Sequence, residues 1–161
     1  MIYYDSYNSP LGEIFVVVDA AGVNRIELIK ENWLKFIVDK SIKRDYNACF
    51  EVIKQLDEYF SGKRKYFHLK LSIEGTEFRK KVWEALIDIP YGEVVSYSSI
   101  AKTIGNPKAV RAVGQANRAN PLPIIIPCHR VIGKDKRLVG YAGTRIDIKK
   151  KLLRLEGVNL V

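Results

Sequence analysis

The run Ile124-Ile125-Ile126-Pro127-Cys128-His129-Arg130-Val131-Ile132 sets one cysteine beside one of the chain's two histidines, and these residue types could support nucleophilic chemistry. A free thiol has a pKa of about 8.5, so only a few per cent is thiolate at neutral pH unless neighbours favour the anion. His129 and Arg130 are such neighbours. The competing reading is structural: cysteine is among the most buried residue types, and short cysteine motifs do not transfer between families. Geometry adds a condition, because alternation along a strand sends Cys128 and His129 to opposite faces. A thiol–imidazole link therefore needs a turn after Pro127 or a bridging water. The apolar residues before Pro127 read as a buried strand, a rigid base from which to aim the thiol.

The elements that must position this stretch lie on both sides of it. Thr76 is a plausible N-cap for a helix with Phe78, Val82, Ala85, Leu86 and Ile89 on its buried face, ended by Pro90-Tyr91-Gly92. Ser96 caps a short helix that turns Tyr97, Ile100, Ala101 and Ile104 inward, and Gly105 stops it. Asn106 caps the next helix, with Pro107 in its first position. Residues 96–118 thus spell helix, tight turn, helix.

The second of these helices is lean: Ala109, Val110, Ala112, Val113, Gly114 and Ala116 are all small. Arg111, Gln115 and Arg118, at i, i+4 and i+7, form one polar stripe. Small residues also suit helix–helix packing, but the helix-turn-helix pattern together with local positive charge favours DNA. A lean helix fits the narrow minor groove as well as the major one. Asn117-Arg118-Ala119-Asn120-Pro121-Leu122-Pro123 reads as an ordered turn in which asparagine side chains bond the backbone.

Beyond the cysteine, Gly133-Lys134-Asp135-Lys136-Arg137 is a basic loop, and Gly140-Tyr141-Ala142-Gly143 sets an aromatic between glycines, open to a flat ligand. Thr144 and Asp147 resemble a capping box for a last helix, with Ile148, Leu152, Leu153 and Leu155 buried. Glu156 sits at that helix's negative pole, a locally unfavourable place. It either extends into water or has a cationic partner, a histidine being the functional alternative.

The first 75 residues read as a small lobe. Ile2 to Tyr7, Gly12 to Val18 and Val23 to Ile29 have strand composition and form an antiparallel meander. Ala48 to Phe60 has helical spacing, with Cys49 on its apolar face as a core residue. Trp33 to Val38 is too short and mixed to assign, Lys63-Arg64-Lys65 is a solvated loop, and Phe67 to Ile73 is strand-like with His68 structural. The expected architecture is α+β, with a boundary at residues 75/76.

Charge divides along the same line. Residues 1–75 hold eleven basic and eleven acidic side chains; residues 76–161 hold sixteen basic against seven acidic, the whole net charge of +9. Such localisation points to a polyanion, with solubility as the competing explanation. No apolar run is long enough to span a membrane, and no secretory signal precedes the first strand. Two cysteines make neither a disulfide framework nor a four-ligand zinc site. A reducing intracellular compartment is expected, cytoplasmic or, in a eukaryote, nuclear.

Taken together, Gly75-Thr76-x-Phe78, Val82-Trp83, Gly92-Glu93-Val94-Val95-Ser96-Tyr97, Gly105 to Gly114, Asn117 to Pro121, Ile126 to Val131 and Leu155-Glu156-Gly157 occur in order with consistent spacing. In these segments, which cover nearly all of residues 76–161, the chain resembles the O6-alkylguanine-DNA alkyltransferases. The resemblance implies a ribonuclease-H-like N-terminal lobe and a mainly helical, winged-helix-like C-terminal domain that binds DNA and transfers the alkyl group. It implies that Cys128 takes that group from flipped-out O6-alkylguanine in duplex DNA, irreversibly and once per molecule. Glu156, His129 and a water would relay the thiol proton, with Asn120 ordering the relay. Tyr97 would contact the extruded base and assist its protonation and rotation.

By the same resemblance Arg111 would fill the vacated base stack, and Lys108, Ala109, Ala112, Gly114, Gln115 and Arg118 would complete the DNA face. Pro123, Val131, Tyr141, Ala142 and Gly143 would line the guanine pocket. Position 142 is alanine where many relatives carry a hydroxyl residue, so only its backbone N–H is available to O6. The N-terminal lobe offers only Cys49 and His68, so neither a metal nor another cofactor is expected, and the protein is expected to act as a monomer. The alternatives are a non-enzymatic protein that recognises alkylated bases, and a papain-like hydrolase, whose cysteine-helix signature is absent.

Overall fold

The computed structural model describes residues 1–133 and 144–159. It divides into two compact units, Met1–Ile73 and Glu74–Val161, and the architecture is α+β.

In the first unit, β1 (Tyr3–Ser9), β2 (Gly12–Asp19) and β3 (Gly22–Glu27) form the expected meander, and a two-residue strand, β4 (Lys43–Arg44), adds parallel to β1. The β1–β2 register runs from Tyr3 opposite Val18 to Ser9 opposite Gly12. Residues 14–18 of β2 are all buried because both faces of the strand are covered. Phe15 and Val17 pack on Trp33 of α1 (Lys30–Ile37), the segment whose composition left it unassigned. α2 (Tyr46–Phe60) packs against β1 and β2 and buries Cys49, Val52, Leu56 and Tyr59. Asp45 caps α2 by accepting from the Ala48 N–H at 2.8 Å.

One expectation fails here. Phe67–Ile73 forms no strand beyond a single bridge, Val23 to Leu71. Its backbone instead ties to Val23, through Val23 N–H to Lys70 O and Ser72 N–H to Val23 O, and to the Gln55 side chain, which donates to His68 O and accepts from His68 N–H.

In the second unit, Thr76 caps α3 (Glu77–Ile87) through the Arg79 N–H, and Ser96 caps α4 (Tyr97–Thr103) through the Ser99 N–H. Gly105, at φ +80°, terminates the turn after α4. The next helix, α5 (Val110–Arg118), starts later than its sequence suggests. Asn106 does not cap it. Its carbonyl accepts from the Ala109 N–H at 3.0 Å, so Asn106–Ala109 forms a turn with Pro107 at the second position, where the proline ring presets φ. α3 is pinned to α5 by the buried Trp83 indole, which donates to Ala116 O at 2.9 Å.

The apolar stretch before the cysteine is not a strand. Leu122–Ile126 is a buried turn closed by Ile126 N–H to Leu122 O, and Ile124 has φ +77°. Pro121 and Pro123 carry no backbone donors, so this segment cannot sustain a ladder. Asn120 serves as its brace, donating Nδ2 to Ile126 O at 2.8 Å and accepting from the Leu122 N–H at 2.9 Å. After the turn, Cys128–Arg130 forms a single 3-10 turn, and β6 (Val131–Ile132) pairs in parallel with β5 (Val95–Ser96). The last helix, α6 (Thr144–Leu155), buries Ile148, Leu152 and Leu153, whereas Leu155 lies on its exposed side.

Candidate active site

The 3-10 turn meets the geometric condition set by the sequence, since it places Cys128 and His129 on one short arc instead of opposite faces of a strand. Both side chains are buried, Cys128 at 3% exposure and His129 at 0%. α6 packs on this turn and delivers Glu156 to it. His129 Nε2 lies 2.7 Å from Glu156 Oε2, so the functional alternative for Glu156 holds and its default, extension into water, does not. With the carboxylate ionised, Nε2–H is the donor and Nδ1 is the bare acceptor. Nδ1 is buried and has no hydrogen-bond partner among the described residues.

Arg130 does not turn toward the thiol. Its guanidinium forks onto Glu156, with Nε to Oε1 at 2.8 Å and NH2 to Oε2 at 2.9 Å, and its NH1 donates to Ile89 O at 2.7 Å. Gly92 N–H adds a further bond to Oε1 at 3.1 Å. Gly92 holds φ +80°, and a Cβ there would come within 3.2 Å of Glu156 O, so both its conformation and its space favour glycine. The carboxylate at the unfavourable end of α6 is therefore offset by a buried bidentate arginine.

Two buried polar residues join the site without having been assigned to it: Lys149, and Asn117, which the sequence placed only in a backbone-bonded turn. Asn117 of α5 donates toward Cys128 O at 3.4 Å and also bonds the Tyr97 phenol. Lys149 of α6 is fully buried, bonds Val131 O and places its ammonium 5.9 Å from the Tyr97 ring centre. A signal existed for each. Asn117 continues the buried face of Val113 and Ala116, and Lys149, Leu152, Leu153 and Glu156 fall at i, i+3, i+4 and i+7, one buried stripe.

Burial dominates the electrostatics. It pushes the Tyr97 phenol up to about 12, with the nearby Cys128 charge acting in the same direction and Asn117 and Arg118 opposing, so Tyr97 keeps its proton at neutral pH. Burial lowers His129; the Glu156 bond and charge oppose this, while Arg130 and Lys149 add to it. Burial also lowers Lys149 from 10.5 to about 8, against the pull of Cys128. Unfolded Lys149 holds more protons between those two values, so stability rises with pH across that window and the full cost of the buried ammonium is present below it. Lys149→Met removes the buried ammonium, so the variant should lack this rise in stability with pH and should gain on the parent most below about pH 8. Urea unfolding of the two proteins checks this, and a variant no more stable than the parent removes the account.

The remaining predicted residues are distributed as follows. Lys108, Arg111, Ala112, Gln115 and Arg118 are exposed, Ala109 is half-buried, and Gly114 lies 3.9 Å from the Tyr97 ring. Val131 is buried and Pro123 half-buried in the braced turn. Asn120 bonds the turn backbone, as above. Tyr141, Ala142 and Gly143 lie outside the described residues. Among the described residues, no group of three or more His, Cys, Asp or Glu could hold a metal, and no helix is long and apolar enough to cross a membrane.

A buried thiol in a turn with a carboxylate-backed histidine thus shares a unit with a helix-turn-helix that carries an exposed arginine stripe, an arrangement suited to thiol chemistry on nucleic acid. Comparison with known proteins gives the family. Residues 77–158 match the 6-O-methylguanine DNA methyltransferase DNA-binding domain, and residues 2–73 match the ribonuclease-like domain of the same proteins. The chain is 48% identical over 161 residues to the constitutive methylated-DNA–protein-cysteine methyltransferase of Bacillus subtilis, covering 99% of this chain and 98% of that protein. It is 49% identical over 156 residues to the Methanosarcina acetivorans methyltransferase, covering 97% and 99%. Its fold is similar to that of Mycobacterium tuberculosis OGT crystallised in complex with DNA, with a TM-score of 0.86, 39% identity, and 96% and 92% of the two chains covered. The chain belongs to the 6-O-methylguanine DNA methyltransferase family.

Proposed function

We propose that this protein repairs O6-alkylguanine in double-stranded DNA by moving the alkyl group irreversibly onto its own Cys128. The activity is that of a methylated-DNA–protein-cysteine methyltransferase, and the close relatives carry that name. The observation that carries the residue assignment is the contact of His129 Nε2 with Glu156, which leaves Nδ1 as an acceptor within the same turn as the thiol. Domain 76–161 performs both DNA binding and transfer. The non-enzymatic reading is weaker, because a protein that only flags lesions has no use for a thiol served by a buried histidine–carboxylate pair.

The chemistry follows from bond accounting. The thiol proton passes through a bridging water to His129 Nδ1, giving thiolate and imidazolium, the latter supported by Glu156. The sulfur attacks the alkyl carbon, an S–C bond forms as the C–O6 bond breaks, and the electron pair goes to the purine. Tyr97, protonated at neutral pH, supplies the proton that lets guanine leave uncharged. A thioether has no carbonyl for water to attack, so each molecule reacts once.

Access to O6 requires that the nucleotide leave the stack, at a cost of a few kcal/mol. Arg111 fills the gap, the small residues Ala109, Ala112 and Gly114 allow close approach of α5, and Lys108, Gln115 and Arg118 hold the backbone. Asn120 acts through the turn it braces. Val131 and Pro123 line the guanine pocket. The protein works as a monomer in a reducing cytoplasmic or nuclear compartment without cofactor.

The test is to mix the protein with duplex DNA bearing O6-methylguanine and weigh the peptide that holds Cys128. One added methyl group per molecule, with no second turnover, is expected; an unmodified peptide would overturn the reading. Arg111→Ala run in parallel should lose more rate on the duplex than on free O6-methylguanine, and equal losses would remove the intercalating role.

A further inference from the structure

Glu156 is held by more than the histidine it serves. Its side chain has 0% exposure and accepts hydrogen bonds from His129, from both arms of the Arg130 fork and from Gly92 N–H. Arg130 is itself held, with a side-chain exposure of 6%, by Ile89 O, and its guanidinium lies 5.7 Å from the Tyr91 ring centre. Tyr91 OH in turn reaches Leu155 O at 3.4 Å, so the Pro90–Gly92 turn clamps the end of α6 around this ion pair.

A carboxylate bonded to an imidazole favours the protonated ring, and in a dry site only burial opposes it unless another charge offsets the carboxylate. A ring already protonated from solvent cannot accept the thiol proton. Here the carboxylate's charge is already matched by a fixed guanidinium. We propose that Arg130 is a positioning residue that acts through Glu156: by matching the carboxylate's charge it keeps His129 neutral, with Nε2–H on Glu156 and Nδ1 open to the thiol. The inference rests on the reading of Cys128, His129 and Glu156 as a proton relay. Among the described residues the charged groups acting on the imidazole are Glu156, Arg130 and Lys149, with the Cys128 thiol beside it in the same turn, and burial of the ring acts in the same direction as the two cations.

The chain has only one other histidine, His68, so the His129 ring can be followed by nitrogen-edited NMR without ambiguity. The full-length Cys128→Ala protein removes the coupled thiol and lets the ring report its surroundings alone. In that background His129 is expected to titrate below the ordinary imidazole value of about 6.5. Adding Arg130→Met should raise the midpoint by about one pH unit or more, the usual effect of uncovering a neighbouring charge. Arg130→Lys, which keeps the charge without the fork, should fall between the two.

An Arg130→Met midpoint equal to that of the Cys128→Ala parent overturns the proposal. Should Arg130→Met fail to fold, the parent and Arg130→Lys decide the matter: a parent midpoint at or above about 6.5, or a Lys midpoint no higher than the parent's, sinks the proposal, and a low parent midpoint with a higher Lys value supports it. None of these readings uses alkyl transfer. A protein whose Cys128 is never alkylated by damaged DNA refutes the functional reading, whereas one that is alkylated normally but whose ring ignores Arg130 refutes only this step.

Discussion

Cys128→Ala is expected to abolish alkyl transfer outright while leaving affinity for undamaged duplex DNA within about twofold, because positioning on DNA is the work of phosphate contacts and not of the thiol. No second nucleophile stands ready. Cys49, the one other cysteine, is fully buried on α2 in the first unit, where burial and the charges of Asp5 and Asp45 push its thiol up to about 12. It is therefore protonated and sealed at neutral pH. The residues proposed to meet DNA, Lys108, Arg111, Gln115 and Arg118, are exposed on the helix-turn-helix and do not depend on the sulfur for their placement. Intact-mass analysis after exposure to O6-methylguanine duplex reads the first half, and fluorescence anisotropy at two salt concentrations reads the second. A methyl group found anywhere on the variant, or a collapse of binding, would refute the separation of docking from chemistry.

That separation was partly visible in the residues themselves. Caps and stops are local, so Thr76, Ser96 and Gly105 could be read from their side chains and conformational freedom alone, and each does what its type suggests. Asn106 and Pro107 looked equally local, but the same pair suits a tight turn, and the turn won. The apolar run Ile124–Ile126 misled for a physical reason: β-branched residues report burial and extended preference, not pairing. Prolines on both sides removed the donors a strand would need, and Asn120 satisfied the turn instead.

Least legible were the partnerships set by distant residues, even where the residue itself, as with Glu156, could be singled out. Lys149 and Glu156 mark the two ends of the buried stripe on α6, yet periodicity arguments normally discard charged positions. What makes them tolerable inside is supplied from elsewhere in the chain, by Val131 O for the lysine and by His129, Arg130 and Gly92 for the glutamate. Arg130 could be seen in the sequence as a cation near a thiol. Only the packing of α6 on the 3-10 turn shows that its charge is spent on Glu156.

The same packing makes Glu156 the most stability-critical polar side chain of the site. Glu156→Ala leaves the Arg130 guanidinium buried with its bond to Ile89 O, strands Gly92 N–H and removes the acceptor of His129 Nε2. Breaking a buried ion pair from one side typically costs about 3–5 kcal/mol, because the surviving charge keeps its desolvation penalty. The variant should lose about that much in urea unfolding and should lose transfer as well, since the imidazolium formed on thiol deprotonation has no counter-charge. The two losses have different origins, and a second substitution separates them. Arg130→Met combined with Glu156→Met removes both charges together, and replacing a buried pair by apolar residues of similar volume is often neutral for stability. The double variant should therefore recover most of the lost stability while remaining unable to transfer alkyl groups at the parental rate. If it is no more stable than Glu156→Ala, the cost lies in packing around α6 and not in an orphaned guanidinium.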